Sequence, residues 1–240
     1  MRSMILVFVG LITSTAACAS TPGAQPHDMS AAQHEAMASA DDKSAAAHAA
    51  RYDPAASTDR PARCAAGAGQ IDAGDGGCWT SAINPTAEHK TDAARHRKMA
   101  ADHRAASKAL RDVEASACSG LSDIDRDMSP FAHREDIVKV EPLGAGGSPK
   151  APPRTAGAII TFRATQGMTA QWLQRLVDCH LARSAAMGHE VPEMEYCPLM
   201  PKNVKARVTT EGAGFIVEVR SDDSESAKEI LKRAQALVAR

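Results

Sequence analysis

Residues 86–119, TAEHKTDAARHRKMAADHRAASKALRDVEASACS, place His89, His96 and His103 at strict intervals of seven. Seven residues make nearly two turns of an α-helix, so the three imidazoles lie on one side of a helix, about 10.5 Å apart along its axis. Asp92 and Met99 fall on the same stripe, which then becomes apolar. The stretch therefore predicts one long helix that carries a seam of potential metal ligands.

The preceding segment repeats this pattern. Residues 29–52, MSAAQHEAMASADDKSAAAHAARY, are rich in Ala with Glu, Gln and Lys, which favours a helix. The Asp-Pro pair at 53–54 is expected to end it. His34 and His48 are fourteen residues apart with Asp41 midway, so the heptad phase is the same as in the second helix.

An antiparallel hairpin would bring the two stripes together in register. If His48 lies beside His89, the other members of both stripes are paired as well, because successive members are seven residues apart in each helix. Seams of Ala, Ser and Met would let the helices approach closely. The predicted pairs are His48/His89, Asp41/His96 with Asp92 nearby, and His34/His103 with Met37 and Met99.

Such a hairpin has the chemistry of a metal site. Imidazole nitrogen binds zinc at about 2.0–2.1 Å, far less than the heptad step, so ligands must come from both helices. Imidazole with carboxylate suits zinc or copper(II), and thioether suits copper(I). The predicted ligands are His34, His48, His89, His96, His103, Asp41, Asp92, Met37 and Met99. Two alternatives are a merely polar stripe on an exposed helix, and a proton-responsive hairpin weakened when adjacent imidazoles become charged.

The N-terminus predicts export. Residues 4–12, MILVFVGLI, form an apolar run after a single Arg, and small residues follow up to Cys18. This is the layout of a secretory signal rather than of a membrane span.

The end of this signal, Thr15-Ala16-Ala17-Cys18, resembles the lipobox of bacterial lipoproteins, although Thr15 stands where Leu is usual. The resemblance covers only the first twenty or so residues. It implies acylation of Cys18 and a membrane anchor, with the mature chain in the periplasm or at the cell surface. Alternatively, residues 17–19 (Ala-Cys-Ala) serve as an ordinary Ala-x-Ala cleavage site and the protein is secreted in soluble form.

Because the chain is predicted to be exported into an oxidising space, we expect the remaining five cysteines to form disulfides where they can pair. We expect Cys64 to pair with Cys78 and Cys179 with Cys197, which leaves Cys118 as the odd thiol. The alternative for Cys179 and Cys197 is a copper(I) cluster with nearby His and Met side chains. His180 is expected to face the core.

The last hundred residues predict an α+β domain. Strand-like segments at 137–140, 157–164, 204–210 and 214–220 alternate with helical patterns at 169–186 and 224–239. The segment GAIITFR at 157 aligns with GFIVEVR at 214. We predict a duplicated β-β-α unit, in which a four-stranded sheet is covered by two helices.

The predicted organisation is a signal peptide at 1–18, a tether at 19–28, a helical hairpin at 29–120 with a Cys-containing connector at 53–85, a crossing segment at 121–136, and the α+β domain at 137–240. The net charge of -1 argues against nucleic-acid binding.

A nucleophile elbow, a phosphate-binding glycine loop and a His-Glu-x-x-His helix are all missing from the sequence, which therefore predicts no enzyme. The predicted function is reversible binding of copper or zinc by a lipid-anchored envelope protein. The alternative is a non-catalytic envelope scaffold or interaction module that docks a protein partner without metal.

Overall fold

The computed structural model describes residues 21–59, 63–64, 78–79, 81–145 and 154–239, with side chains outside the description at 63, 64, 78, 79 and 145. Within these ranges the chain has five α-helices, a four-stranded antiparallel sheet and short two-stranded sheets, which is the predicted α+β class. None of the helices in these ranges has the length and hydropathy needed to cross a membrane. The predicted signal peptide and Cys18 lie outside the described residues.

The two Ala-rich segments form the predicted helices, α1 (Ala31–Arg51) and α2 (Ala87–Ala117). A capping box begins α1, because the Ser30 hydroxyl accepts from the backbone of Gln33 while the Gln33 side chain accepts from the backbone of Ser30. The helices pack against each other along their length as an antiparallel hairpin.

The segment before α1 packs against the hairpin. Thr21 and Ala24 are buried, and the Thr21 hydroxyl donates to the Asp102 carboxylate on α2. This part of the predicted tether is therefore held along α2.

The connector between the helices forms short strands where it is described. Strands β1 (Thr58–Asp59) and β4 (Ala82–Ile83) pair antiparallel, and so do β2 (Arg63–Cys64) and β3 (Cys78–Trp79). The connector thus returns on itself and brings the ends of α1 and α2 together. Cys64 lies opposite Cys78 in this pairing, while their predicted disulfide lies outside the described side chains.

The crossing segment contains a short helix, α3 (Asp123–Asp127), and a 3-10 turn at Arg134–Asp136. Its Phe131 side chain is fully buried. The remainder follows in the order β5 (Ile137–Ala145), β6 (Arg154–Phe162), α4 (Ala170–Ala186), β7 (Val204–Glu211), β8 (Gly214–Ser221) and α5 (Ser224–Val238). All neighbours in the sheet are antiparallel, in the order β5-β6-β8-β7.

Both α4 and α5 cover one face of this sheet. Alternate residues of β6 and β8 are buried beneath them, whereas the intervening residues, such as Ile159 and Ile216, are half-buried on the other face. This is the period-two alternation expected of an antiparallel sheet with one solvated face. The order strand-strand-helix occurs twice, and the duplication inferred from the sequence stays a prediction, as do the boundaries of the units.

Candidate metal site

The seam between α1 and α2 consists mainly of alanine, serine and polar side chains, and Leu110 of α2 packs against Ala31 of α1. Because the alanines are small, the two helices can approach closely and histidines from both sides meet across the seam. The buried alanines are Ala31, Ala38 and Ala45 on α1 and Ala93, Ala100 and Ala106 on α2.

The structure forms the three pairs predicted from the heptad phase. The Nδ1 atoms of His48 and His89 are 3.2 Å apart, those of His34 and His103 are 3.1 Å apart, and His96 Nδ1 lies 2.8 Å from Asp41 Oδ1. We call His48/His89 the outer rung, Asp41/His96 the middle rung and His34/His103 the inner rung.

The outer rung has a third ligand. Asp92 Oδ2 lies 3.7 Å from His48 Nδ1, and the ligand atoms of His48, His89 and Asp92 all lie within 4.8 Å of one another. We call these three residues the outer site. The other oxygen of Asp92 accepts from the exposed Arg95 guanidinium at 2.8 Å, which leaves Oδ2 towards the imidazoles.

The spacing of the outer site suits a first-row transition metal. An ion about 2.05 Å from both Nδ1 atoms would subtend an angle of roughly 100° between them, close to the tetrahedral value. The side chains of His48 and Asp92 are 25% and 31% exposed, so an ion can reach the site from solvent. Two imidazoles and one carboxylate fill three positions of a four-coordinate ion and leave one open.

The side chains of the middle rung are hydrogen-bonded to each other and do not face a common ion position. His96 stacks on His48 with ring centroids 5.6 Å apart and planes 20° from parallel, and its Nδ1 donates to Asp41. Asp41 is buried, and its Oδ2 has no hydrogen-bond partner among the described residues. Hence His96 and Asp41 lie beside the outer site and do not add nitrogen or oxygen to it.

The inner rung is sealed from solvent. His34 and His103 are 0% and 2% exposed, and one ring donates its Nδ1–H to the other. His34 Nε2 and the hydroxyl of nearby Ser107 are buried without partners among the described residues. The inner rung has two facing nitrogens, and no third His, Cys or carboxylate ligand joins them among the described residues. We therefore interpret it as a hydrogen-bonded pair in the core of the hairpin.

The two methionines predicted at this rung do not enclose it. Met37 is 43% exposed and Met99 is half-buried, in contrast to the fully buried imidazoles. The reason is geometric, since Met37 lies three residues after His34 and is therefore rotated off the seam. The structure gives no support for a thioether copper(I) site here.

A second group of potential ligands was not predicted. His133, Glu135 and Asp136 bring their ligand atoms within 4.8 Å of one another around the 3-10 turn. All three are on the surface or partly so, and Arg163 donates to Asp136 Oδ1 at 2.8 Å. His133 and Glu135 are 61% and 64% exposed, and the Asp136 carboxylate already pairs with the Arg163 guanidinium, so we regard this group as weaker than the outer site.

The predicted disulfide between Cys179 and Cys197 is wrong. Cys179 pairs with Cys118, because the end of α2 packs on α4 and places the two Cα atoms 4.6 Å apart. Among the cysteines whose side chains the structure describes, Cys197 is the free and buried thiol, and the Ser129 hydroxyl donates to its sulfur at 3.2 Å. Burial raises the pKa of the Cys197 thiol above its ordinary value.

The copper(I) cluster considered near Cys179 and Cys197 is not assembled. Cys179 is in a disulfide, and His189 Nδ1 donates to the Met200 carbonyl oxygen at 3.0 Å. His180 is buried, as predicted, with its Nε2 3.4 Å from the Asp125 carbonyl oxygen. Burial lowers the pKa of both His180 and His189, and their backbone acceptors oppose this only in part.

No protein-family model, curated protein or solved structure shows significant similarity to this chain.

Proposed function

We propose that this chain is an exported, lipid-anchored envelope protein that reversibly binds zinc or copper at the outer site, formed by His48, His89 and Asp92. The observation that supports the proposal is the convergence of two imidazole nitrogens and one carboxylate oxygen from two helices within 4.8 Å. Their chemistry is that of zinc and copper(II) sites. The role is binding for sequestration or delivery, without catalysis.

Reversibility follows from the partial exposure of the ligands and from their number. Closed structural zinc sites use four protein ligands, whereas three ligands leave a position that water or an incoming ligand can occupy. An ion bound in this way can be exchanged through solvent or passed to another protein in the envelope.

Calorimetric titration of the purified chain with zinc and with copper(II) tests the binding proposal. We expect one ion per chain for the wild type and loss of that binding in a His48→Ala, His89→Ala double variant. A His133→Ala variant is the matched control, because it removes one imidazole from the exposed group elsewhere and should bind as the wild type does. If neither ion binds the wild type, the metal proposal is wrong and the non-catalytic envelope scaffold takes its place.

The anchor is tested separately by mass spectrometry of the protein from bacterial membranes. Acylated Cys18 at the mature N-terminus is expected, and a Cys18→Ser variant should be found unacylated and released from the membrane. Cleavage elsewhere in the wild type, without acylation, would contradict the lipoprotein assignment.

A further inference from the structure

The charge of the outer site does not balance that of a divalent ion. His48 and His89 bind as neutral imidazoles, so Asp92 supplies the only formal charge among the three ligands. A divalent ion bound there would leave an excess of one positive charge. Arg95, which pairs with Asp92, adds to this excess, although its side chain is 61% exposed and well screened.

A second carboxylate lies one ring away, inside the seam. The Asp41 side chain is 8% exposed, accepts one hydrogen bond from His96 at 2.8 Å, and keeps a buried oxygen without a partner among the described residues. An isolated buried carboxylate is costly, so its presence needs a compensating positive charge nearby. His96 alone gives it one hydrogen bond.

His96 connects this carboxylate to the outer site. Its ring stacks on that of His48, nearly parallel, while its Nδ1–H is directed at Asp41. The stack restricts the rotation of the His48 ring and so holds His48 Nδ1 towards His89 and Asp92. Hydrogen-bonded groups of this kind beside metal ligands fix the orientation of the ligand and adjust the charge of the site.

We propose that the outer site is matched to a divalent rather than a monovalent cation, and that Asp41 acts through His96 as a positioning and charge-balancing residue. This inference rests on the proposed function. With a divalent ion, Asp92 and Asp41 together balance the ionic charge. With a monovalent ion such as copper(I), Asp92 alone would do so and Asp41 would remain uncompensated in the seam.

The test compares zinc with silver(I), a closed-shell monovalent ion, in chloride-free buffer. In an Asp41→Asn variant, which keeps the shape and removes the charge, zinc affinity should fall about tenfold, in the range usual for loss of a group behind a metal ligand. Silver affinity should change less than about threefold, because its charge is already balanced. A merely structural role for Asp41 would weaken both ions equally.

Two further variants sharpen the result. Asp42→Asn is the matched control, since Asp42 is the next residue, is exposed and pairs with Arg104 on the hairpin surface; neither ion should bind differently. An Asp41→Leu, His96→Phe double variant keeps a ring to stack on His48 and removes both the carboxylate and its hydrogen-bond partner, so that no buried charge is left unpaired. It should reproduce the zinc-selective loss, and it serves as the test if Asp41→Asn does not fold.

Equal losses for zinc and silver, or unchanged zinc binding in both variants, would overturn the charge-matching inference while leaving the metal site in place. Failure of the wild type to bind zinc at all would instead overturn the proposed function. The two failures are therefore distinguishable in one set of titrations.

Discussion

The core of the α+β domain and the seam of the hairpin are both buried, but they are built from different side chains. Beneath the sheet lie Phe162, Ile160, Leu173, Val217 and Ile230, each at most 2% exposed. The seam instead buries alanines and the imidazoles of the inner rung. One region is held by large apolar side chains, and the other by close helix approach and a few directed polar contacts.

The difference has an energetic consequence. Full burial of one Ile or Phe side chain contributes about 1.5–3 kcal/mol, whereas an intramolecular hydrogen bond contributes roughly 0.5–1.5 kcal/mol net. The apolar contacts of the α+β core therefore supply stability that does not depend on a bound ligand. The stability of the hairpin depends more on the polar contacts of its rungs, so we expect it to change when an ion binds there.

The disulfide joins these two regions, and its removal should have the largest effect. Cys118 and Cys179 are separated by 61 residues, and a cross-link of this span is worth about 4 kcal/mol in the chain-entropy model. Changing both residues to Ser should lower the free energy of unfolding by about that amount, measured by urea unfolding. Wild-type protein under reductant should lose at least as much as the variant, because reductant also breaks the predicted Cys64–Cys78 bond. A loss below about 1 kcal/mol would mean that the regions hold together without the bond.

The apolar core can be tested by two adjacent residues of one strand. Ile160 is fully buried beneath the helices, and Ile159 is half-buried on the other face of the sheet. Ile160→Ala should cost about 3 kcal/mol, since it removes apolar contacts and leaves a cavity. Ile159→Ala should cost less than half as much in the same unfolding experiment. Equal losses in the free energy of unfolding would mean that the second face of the sheet is buried in solution, for example against another molecule.

The seam can be tested by replacing the inner rung with apolar side chains. His34→Leu alone leaves the His103 nitrogen without its partner and should cost about 2 kcal/mol, and His103→Leu should behave alike. The double variant should cost clearly less than the sum, because no unpaired nitrogen remains. The measurement is a double-mutant cycle by urea unfolding. Additive losses would mean that the two imidazoles are not coupled.

The hairpin could be predicted from the sequence because the signal is local and repeated. A seven-residue spacing on two helices fixes both the face and, once one pair is chosen, every other pair. His48/His89 and His34/His103 meet for this reason. The number of ligands at each rung could not be predicted, because it depends on side-chain directions such as the stacking of His96 on His48.

The errors concern contacts between distant segments. The pairing of Cys118 with Cys179 follows from how the end of α2 packs on α4, and nothing in the cysteine spacing indicates that packing. The sheet order β5-β6-β8-β7 was likewise not predicted, although its strands and helices were. Two-residue strands such as β1 have no periodicity to detect, so the sequence does not predict the short strand pairs of the connector.

Lowering the pH should reduce the stability of the protein through two histidines of the α+β domain, His180 and His189. Burial lowers the pKa of His180 and His189 in the folded protein, so below their ordinary value near 6.5 the unfolded chain binds more protons than the folded one. Their contribution to stability is therefore complete above about pH 6.5 and is lost as the pH falls below it, with a slope of at most about 1.4 kcal/mol per pH unit for each.

Urea unfolding between pH 7.5 and 5 measures this loss, and a His180→Gln, His189→Gln double variant should show a shallower slope, since glutamine does not titrate. The inner-rung double variant His34→Leu, His103→Leu is the matched comparison within the hairpin. If this variant flattens the slope as much as the α+β variant does, protonation of the inner rung also destabilises the protein. The hairpin would then be proton-responsive. If only the α+β variant flattens the slope, the inner rung does not contribute to the loss of stability in acid.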